Sequence, residues 1–214
     1  MFVYEIENLL FSYDTKFTLK VEKLQISKGI TYVKGPIGSG KTTLLLNLAF
    51  LLKGTWKTFK FFGQGVGDDN FESFRKMVTY IPQHPVLLRR TVFENIAYPL
   101  LIRKFSKEEI VRKVRKVAED LKINHIFEKK AEQLSGGQAK LVCIARAFVF
   151  DPKVVLLDEP TANLDELAKG MLYSFLKVRS KETTMIIASH DEEIFGNVPC
   201  NAVLQIKEGK ILKS

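Results

Sequence analysis

The stretch Gly35-Pro-Ile-Gly-Ser-Gly-Lys-Thr42 constrains this chain more than any other. It reads G-x-x-x-x-G-K-T. An apolar, strand-like run, Ile30-Thr-Tyr-Val33, precedes it, and a strongly apolar helix is predicted from Lys41 to Leu52. Strand, loop and helix in that order are the context in which this spacing cradles phosphate. Gly35, Gly38 and Gly40 let the backbone curl so that successive N–H groups point at one anion. The helix opening at Lys41 adds its free N–H groups and the positive end of its dipole. Lys41 has the reach for terminal phosphates, and the Thr42 hydroxyl suits Mg²⁺.

Bulk composition narrows the setting. The chain has 214 residues, 46% of them apolar, which suffices for one domain or a domain with an inserted lobe. Net charge is +9, with the charges spread along the chain. No arginine-rich tail or basic–aromatic run stands out, so a lysine-rich solvated surface is the expected meaning and nucleic acid is not an expected partner. Cys143 and Cys200 have no metal-ligand spacing and read as reduced, cytosolic thiols. No apolar stretch approaches the ~18–20 residues of a membrane span. The N-terminus lacks the pattern of a signal peptide. Work at a membrane would therefore run from the cytoplasmic side, through a partner.

Taken in order, Phe2, Tyr4 and Ile6 alternate with Val3, Glu5 and Glu7, and Phe17, Leu19 and Val21 with Thr18, Lys20 and Glu22. Both patterns predict strands. The turn Phe11–Lys16 between them carries Tyr13, either a ring that stacks on a base or an ordinary loop tyrosine. The helix after the loop is apolar on almost every side, as for an element inside a layered domain, and Gly54 is placed to stop it. Alternation returns over Thr55–Phe61, a glycine-rich turn spans Gly63–Gly67, and Val78–Ile81 reads as a short buried strand ending at Pro82-Gln83. From about residue 88 to 150 the character is helical. Thr91 caps a short helix through Ala97. Ser106-Lys-Glu-Glu109 is a capping box opening an amphipathic helix with Ile110, Val114, Val117 and Leu121 on one face. Leu134-Ser-Gly-Gly-Gln138 opens another helix, through about Phe150, and offers a second anion-binding helix start. Asp151-Pro152 breaks it. Val154–Leu157 is a continuous apolar run, as for a strand buried on both faces. It ends in Asp158-Glu159, where ligands of open α/β sheets sit. Adjacent strand residues point to opposite sides, so these carboxylates should have different roles. Thr184–Ala188 is another buried strand, leading to His190. The last strands, Ala202–Ile206 and Lys210–Leu212, flank the turn Glu208-Gly209. From the residues alone, Gln83 also fits a turn, His190 a loop histidine and Asp165 a helix N-cap. His84 and His125 read as structural.

The ordered set Gly35–Thr42, Gln83, Leu134–Gln138, Leu157-Asp-Glu-Pro160, Asn163-Leu-Asp165 and His190 resembles the ATP-binding cassette of ABC transporters, over essentially the whole chain. The resemblance implies an α/β fold: a P-loop NTPase core with a mostly parallel sheet, an N-terminal antiparallel β subdomain and an inserted α-helical subdomain. Residues 1–87 and 151–214 would form the core and about 88–150 the helical lobe, in a single ATPase domain. It implies ATP and Mg²⁺ as cofactors. Gly35, Pro36, Ile37, Gly38, Ser39, Gly40, Lys41, Thr42 and Thr43 would hold the phosphates and Tyr13 would stack on adenine. Thr42 and Gln83 would bind the metal, with Asp158 acting on it through water. Glu159 would be the general base and His190 would hold the γ-phosphate. In the family two cassettes pair head to tail, so Ser135, Gly136, Gly137, Gln138 and Asp165 would face the nucleotide of the partner.

Two departures stand out. Where the family carries polar, often basic residues after Gln138, this chain has Ala139-Lys140-Leu141, and it ends at Ser214, so no regulatory C-terminal domain is expected. The expected role is the ATP-hydrolysing subunit of a transporter, peripheral at the inner face of the membrane. Its partners would be a second cassette, a polytopic permease and an external solute-binding protein. The run Gln83–Tyr98 resembles small importers, including those for oxyanions such as tungstate or phosphate, and residues 84–100 are the expected permease-docking surface. The alternative is a soluble ATPase of the same family serving protein assembly or DNA. A DNA-repair type is disfavoured because only 52 residues separate Gln83 from Ser135, with no heptad run.

Overall fold

The computed structural model describes residues 1–13 and 17–213. Asp14, Thr15 and Lys16, the tip of the turn read over Phe11–Lys16, lie outside the described residues, as does Ser214. The first half of the chain gives β1 (Phe2–Ser12), β2 (Thr18–Ser27), β3 (Ile30–Lys34), α1 (Lys41–Leu48), β4 (Thr58–Phe61), β5 (Gln64–Gly65), α2 (Phe71–Arg75) and β6 (Val78–Ile81). The helices α3 (Val92–Ile102), α4 (Lys107–Asp120) and α5 (Gly136–Phe148) follow. Then come β7 (Val154–Asp158), α6 (Glu166–Arg179), β8 (Thr184–Ala188), α7 (Glu193–Asn197), β9 (Ala202–Lys207) and β10 (Lys210–Lys213).

The strands form one sheet in the order β5-β4-β1-β2-β10-β9-β3-β8-β7-β6. The run β9-β3-β8-β7-β6 is parallel throughout. The other end, β5-β4-β1-β2, is antiparallel. β10 joins them, parallel to β2 and antiparallel to β9. The layout is an α/β cassette with an antiparallel β portion, as the sequence implies.

Why β7 and β8 are apolar at every position is visible in their packing. Val155, Leu157, Met185 and Ile187 face a core built with α3–α6. Val154, Leu156, Ile186 and Ala188 face a second core with α1 and the antiparallel strands. A strand between two cores has no polar face to spare. The strand read at Val78–Ile81 is β6, but it is the sheet's edge, and Val78, Thr79 and Tyr80 are only half-buried.

Several local expectations are corrected. β1 does not hold simple alternation. A register shift between Phe2 and Tyr4 leaves Phe2 36% exposed while Val3 and Tyr4 are both buried. Asn8, at φ 53, shifts the pattern again before Leu9. α1 ends at Leu48 rather than Leu52, with Phe50 in the left-handed region at φ 55. The strain at Phe50 is offset by burial: its ring meets those of Phe59, Phe61, Phe71 and Phe74. Gly54 does not stop the helix. It lies against β1, where a Cβ would stand 2.4 Å from the Leu10 carbonyl oxygen. The first helix of the lobe runs to Ile102 instead of Ala97, through Pro99. Ile96, Ala97 and Leu100 are buried where α3 packs on α5, and that packing outweighs the N–H that Pro99 lacks. Both predicted helix starts are capping boxes, Thr91 with Glu94 and Ser106 with Glu109.

Candidate functional site

β3 ends at Lys34 and the phosphate-loop segment carries the chain into α1. Gly38 and Gly40 take positive φ, 76 and 107. Gly35 does not; it is required by crowding, since a Cβ there would sit 2.2 Å from the Ile206 carbonyl oxygen. The N-cap of α1 is Gly40, with no side-chain cap, so the first N–H groups of the helix stay available to a ligand. The Lys41 ammonium lies across the loop, donating to the carbonyl oxygens of Gly35 at 2.8 Å and Pro36 at 3.2 Å. The Ser39 hydroxyl is buried with no partner among the described residues. A buried hydroxyl without a partner is costly, and a phosphate oxygen in the loop would supply one.

The parallel strands deliver the other groups. Asp158, on the α1 side of β7, accepts from the Thr42 hydroxyl at 2.7 Å and the Tyr80 hydroxyl at 3.1 Å, both on Oδ2. Glu159 comes one residue later, with φ 44, and turns the other way. Its Oε2 accepts from the Ser189 hydroxyl at 3.1 Å and the His190 N–H at 3.3 Å, and its Oε1 lies 2.9 Å from His190 Nδ1. The Lys41 ammonium stands 3.9 Å from the same Oε1. Both carboxylates are buried and both are neighboured by donors, in separate settings.

Tyr13, Phe17, Ile37, Gly38, Ser39, Gly40, Lys41, Thr42, Thr43, Gln83, Asp158, Glu159 and His190 line one cavity of about 360 Å³. Tyr13 is 58% exposed and meets Phe11 edge to face. Two aromatic residues, Tyr13 and Phe17, are part of this lining. The donor set fits Mg²⁺ alongside phosphate: a threonine hydroxyl, a glutamine amide and one carboxylate. No group of three or more His, Cys, Asp or Glu that could hold a metal without phosphate occurs among the described residues.

The ABC transporter family model matches residues 19–162. That span carries the phosphate loop, Gln83, Ser135–Gln138 and Asp158–Glu159. The chain belongs to the ABC transporter family. Its members hydrolyse ATP, and this cassette is an ATPase. It is 34% identical to the tungstate uptake system ATP-binding protein TupC of Peptoclostridium acidaminophilum, over 96% of this chain and 95% of that protein. It is 35% identical to the molybdate/tungstate import ATP-binding protein WtpC of Methanocaldococcus jannaschii, over 82% of this chain but 58% of that longer protein. Among solved structures, cbiO1 of Clostridium perfringens, part of the ABC transporter complex cbiONQ, superposes with a TM-score of 0.85 at 28% identity, over 99% of this chain and 87% of that one.

The cassette holds its signature segment apart from the cavity. Ser135 caps α5: its hydroxyl accepts from the Gln138 N–H at 3.2 Å, and the Gln138 side chain accepts from the Ser135 N–H at 3.3 Å. Ser135 and Gly136 are exposed, and none of Ser135–Gln138 lines the cavity. Asp165 caps α6, accepting from the Ala168 N–H at 2.8 Å, and is likewise outside the cavity. Gly137 lies against the Asn163–Leu164 segment, so the two outlying motifs are neighbours.

Sequence reasoning missed three contributors. Phe17 was read only as a strand residue. Ser189 holds Glu159 and is fully buried; its one signal is its place between a buried strand and His190. Tyr80 links Asp158 to a second cavity, of about 450 Å³, which its ring helps to line. Burial, and then the Asp158 carboxylate, push the Tyr80 phenol well above its ordinary range. Nothing local in the sequence announces that contact.

Proposed function

We propose that this chain is the ATP-hydrolysing subunit of an importer, working as a head-to-tail pair of cassettes beneath a separate membrane permease. The observation that carries the reading is the division of the site. One copy brings the phosphate loop, Asp158, Glu159 and His190 to one cavity, and leaves Ser135–Gln138 outside it, with Ser135 and Gly136 exposed. A second copy turned head to tail would supply that helix start to the γ-phosphate.

Within one cavity the contacts support the following division of roles. The loop N–H groups, Ser39 and Lys41 hold phosphate oxygens. Tyr13 stacks on adenine. Thr42, Gln83 and Asp158 would hold Mg²⁺, which when bound would neutralise charge on the phosphoryl oxygens. Glu159 accepts the proton of the attacking water, held in place by Ser189 and His190. His190, whose Nδ1 lies against Glu159, would hold the γ-phosphate through Nε2.

The second cavity suits a permease segment. It includes Leu88, Tyr98 and Pro99 from the stretch expected to dock the partner, and extends to Arg75, Arg103, Arg146 and Phe150. Three arginines and no carboxylate line it, so its occupant is an apolar segment carrying an acidic side chain. No helix among the described residues is long and apolar enough to cross a membrane, and the permease would supply the span. The uptake relatives favour an oxyanion of the tungstate class as cargo, delivered by an external binding protein. The cassette would sit at the inner face of the membrane.

The test is a pull-down with tagged Glu159→Gln, ATP and Mg²⁺ from detergent-solubilised membranes of the source cell. A polytopic membrane protein in stoichiometric amount is expected. Recovery of a soluble protein or nucleic acid, with no membrane protein, would move the same ATPase to an assembly or DNA-linked role.

A further inference from the structure

Lys140 is the one charged side chain among the residues that follow Gln138 in the first turns of α5, and it is only 1% exposed. A buried ammonium is costly unless it is paired and hydrogen-bonded. Here its partners are carbonyls. The Nζ donates to Pro82 O at 3.1 Å and, more closely, to Gln83 O, which lie 58 and 57 residues away in sequence. These carbonyls lie just past the last ladder pair of β6, Ile81 with Leu157, where the chain leaves the sheet. Backbone acceptors there need a donor from elsewhere. Burial pulls the ammonium below its ordinary range, opposed by Cys143, Asp158 and Glu159. It thus lies within the field of both site carboxylates.

The placement joins two halves of the site. α5 begins with the Ser135–Gln138 segment, exposed at Ser135 and Gly136, and Gln83 lines the nucleotide cavity. Ala139 and Leu141, on either side of Lys140, have no donor on their side chains to make the same tie.

We propose that Lys140 is a positioning residue for hydrolysis: it ties the backbone at Gln83 to α5, so that the partner-facing helix sets where the Gln83 amide stands in the cavity. This rests on the role of Gln83 proposed above.

The experiment compares purified full-length wild type with Lys140→Met, Lys140→Arg, Gln83→Ala and the double variant Lys140→Met/Gln83→Ala. It measures steady-state kcat and KM for ATP with Mg²⁺, melting temperature, and amide hydrogen exchange over residues 82–88. Lys140→Met is expected to lower kcat about 10- to 100-fold, the scale of a misplaced active-site group, with KM unchanged. Exchange over 82–88 rises, Lys140→Arg restores most of the rate, and the double variant is no slower than Gln83→Ala alone. Wild-type kcat and exchange in Lys140→Met, while Gln83→Ala is slow, would overturn the tie and leave the role of Gln83 intact. Parallel loss of kcat, ATP affinity and melting temperature in Lys140→Met, unrelieved by Lys140→Arg, would reduce Lys140 to packing. Full activity in Gln83→Ala would overturn the reading of Gln83 itself, and the proposal with it.

Discussion

Two helix starts in this molecule are candidates for an anion, and they are finished differently. α1 opens from Gly40 with no side-chain cap, inside a cavity, with Lys41 and the buried Ser39 hydroxyl around it. α5 opens from Ser135 with a complete capping box, exposed and outside that cavity. The first keeps its N–H groups for a ligand that the chain itself encloses. The second satisfies its own first turn and still presents N–H groups and a hydroxyl outward. On the proposed head-to-tail reading, α1 belongs to a half-site completed within its own copy, and α5 would serve a site on another copy.

The largest effects should come from breaking one start at a time. Lys41→Ala removes the cation of the enclosed site, so ATP binding and turnover fall together. Ser135→Arg blocks the outward start: ATP still binds the isolated cassette, while turnover falls about 10²–10³-fold, as when a transition-state donor is lost. Nucleotide binding by isothermal titration separates the two.

Glycines sharpen the comparison at the level of the fold. Gly35→Ala drives a Cβ onto the Ile206 carbonyl and is expected to cost about 1–3 kcal/mol, as overpacking does. Gly40→Ala fixes an alanine at φ 107 and is strained for a separate reason. Gly136 has open space around its Cβ direction and no positive φ. Gly136→Ala should leave stability unchanged or raise it by about 0.4–1 kcal/mol. Denaturant melts of the three variants check the order.

The smallest effect is a pH dependence. Tyr4, Tyr32 and Tyr80 are held above the ordinary phenol range, each by burial first. Above about pH 10 the unfolded chain loses phenolic protons that the folded chain keeps. Their contribution is thus fully present below that pH and is lost as the pH rises beyond it. Tyr80→Phe should make the alkaline loss of stability shallower, measured by urea unfolding between neutral and strongly alkaline pH.

What was legible in the sequence was whatever is written locally. The phosphate loop, the strand ends at Asp158–Glu159 and His190, the Thr91 cap and the Ser106 capping box are contiguous patterns. Strand alternation predicted separate settings for Asp158 and Glu159; in the fold β7 ends at Asp158 and a left-handed backbone at Glu159 separates them, with both still lining one cavity. What was hidden depends on residues far apart. Phe50 ends α1 in a strained backbone because an aromatic cluster, assembled from residues 59 to 74, holds it there. β1 carries its bulge near Phe2 in register with a strand that follows a turn. The small helices α2 and α7, of five residues each, lack the periodicity that marks a helix. Tyr80 and Lys140 acquire their partners only when β6, β7 and α5 come together. In the bare sequence Lys140 was the only charge in a run that departs from a familiar pattern; in the fold it is the proposed tie between two parts of the site.

The central claim is that a working site takes α1 from one copy and α5 from another, and mixing the two broken cassettes tests it directly. Lys41→Ala and Ser135→Arg, each inactive alone, are combined and ATP hydrolysis is measured with Mg²⁺. A mixed pair contains one site with an intact phosphate loop and an intact signature helix, so activity should reappear on mixing. Preparations that bind nucleotide as expected yet stay inactive at every mixing ratio would contradict the shared site.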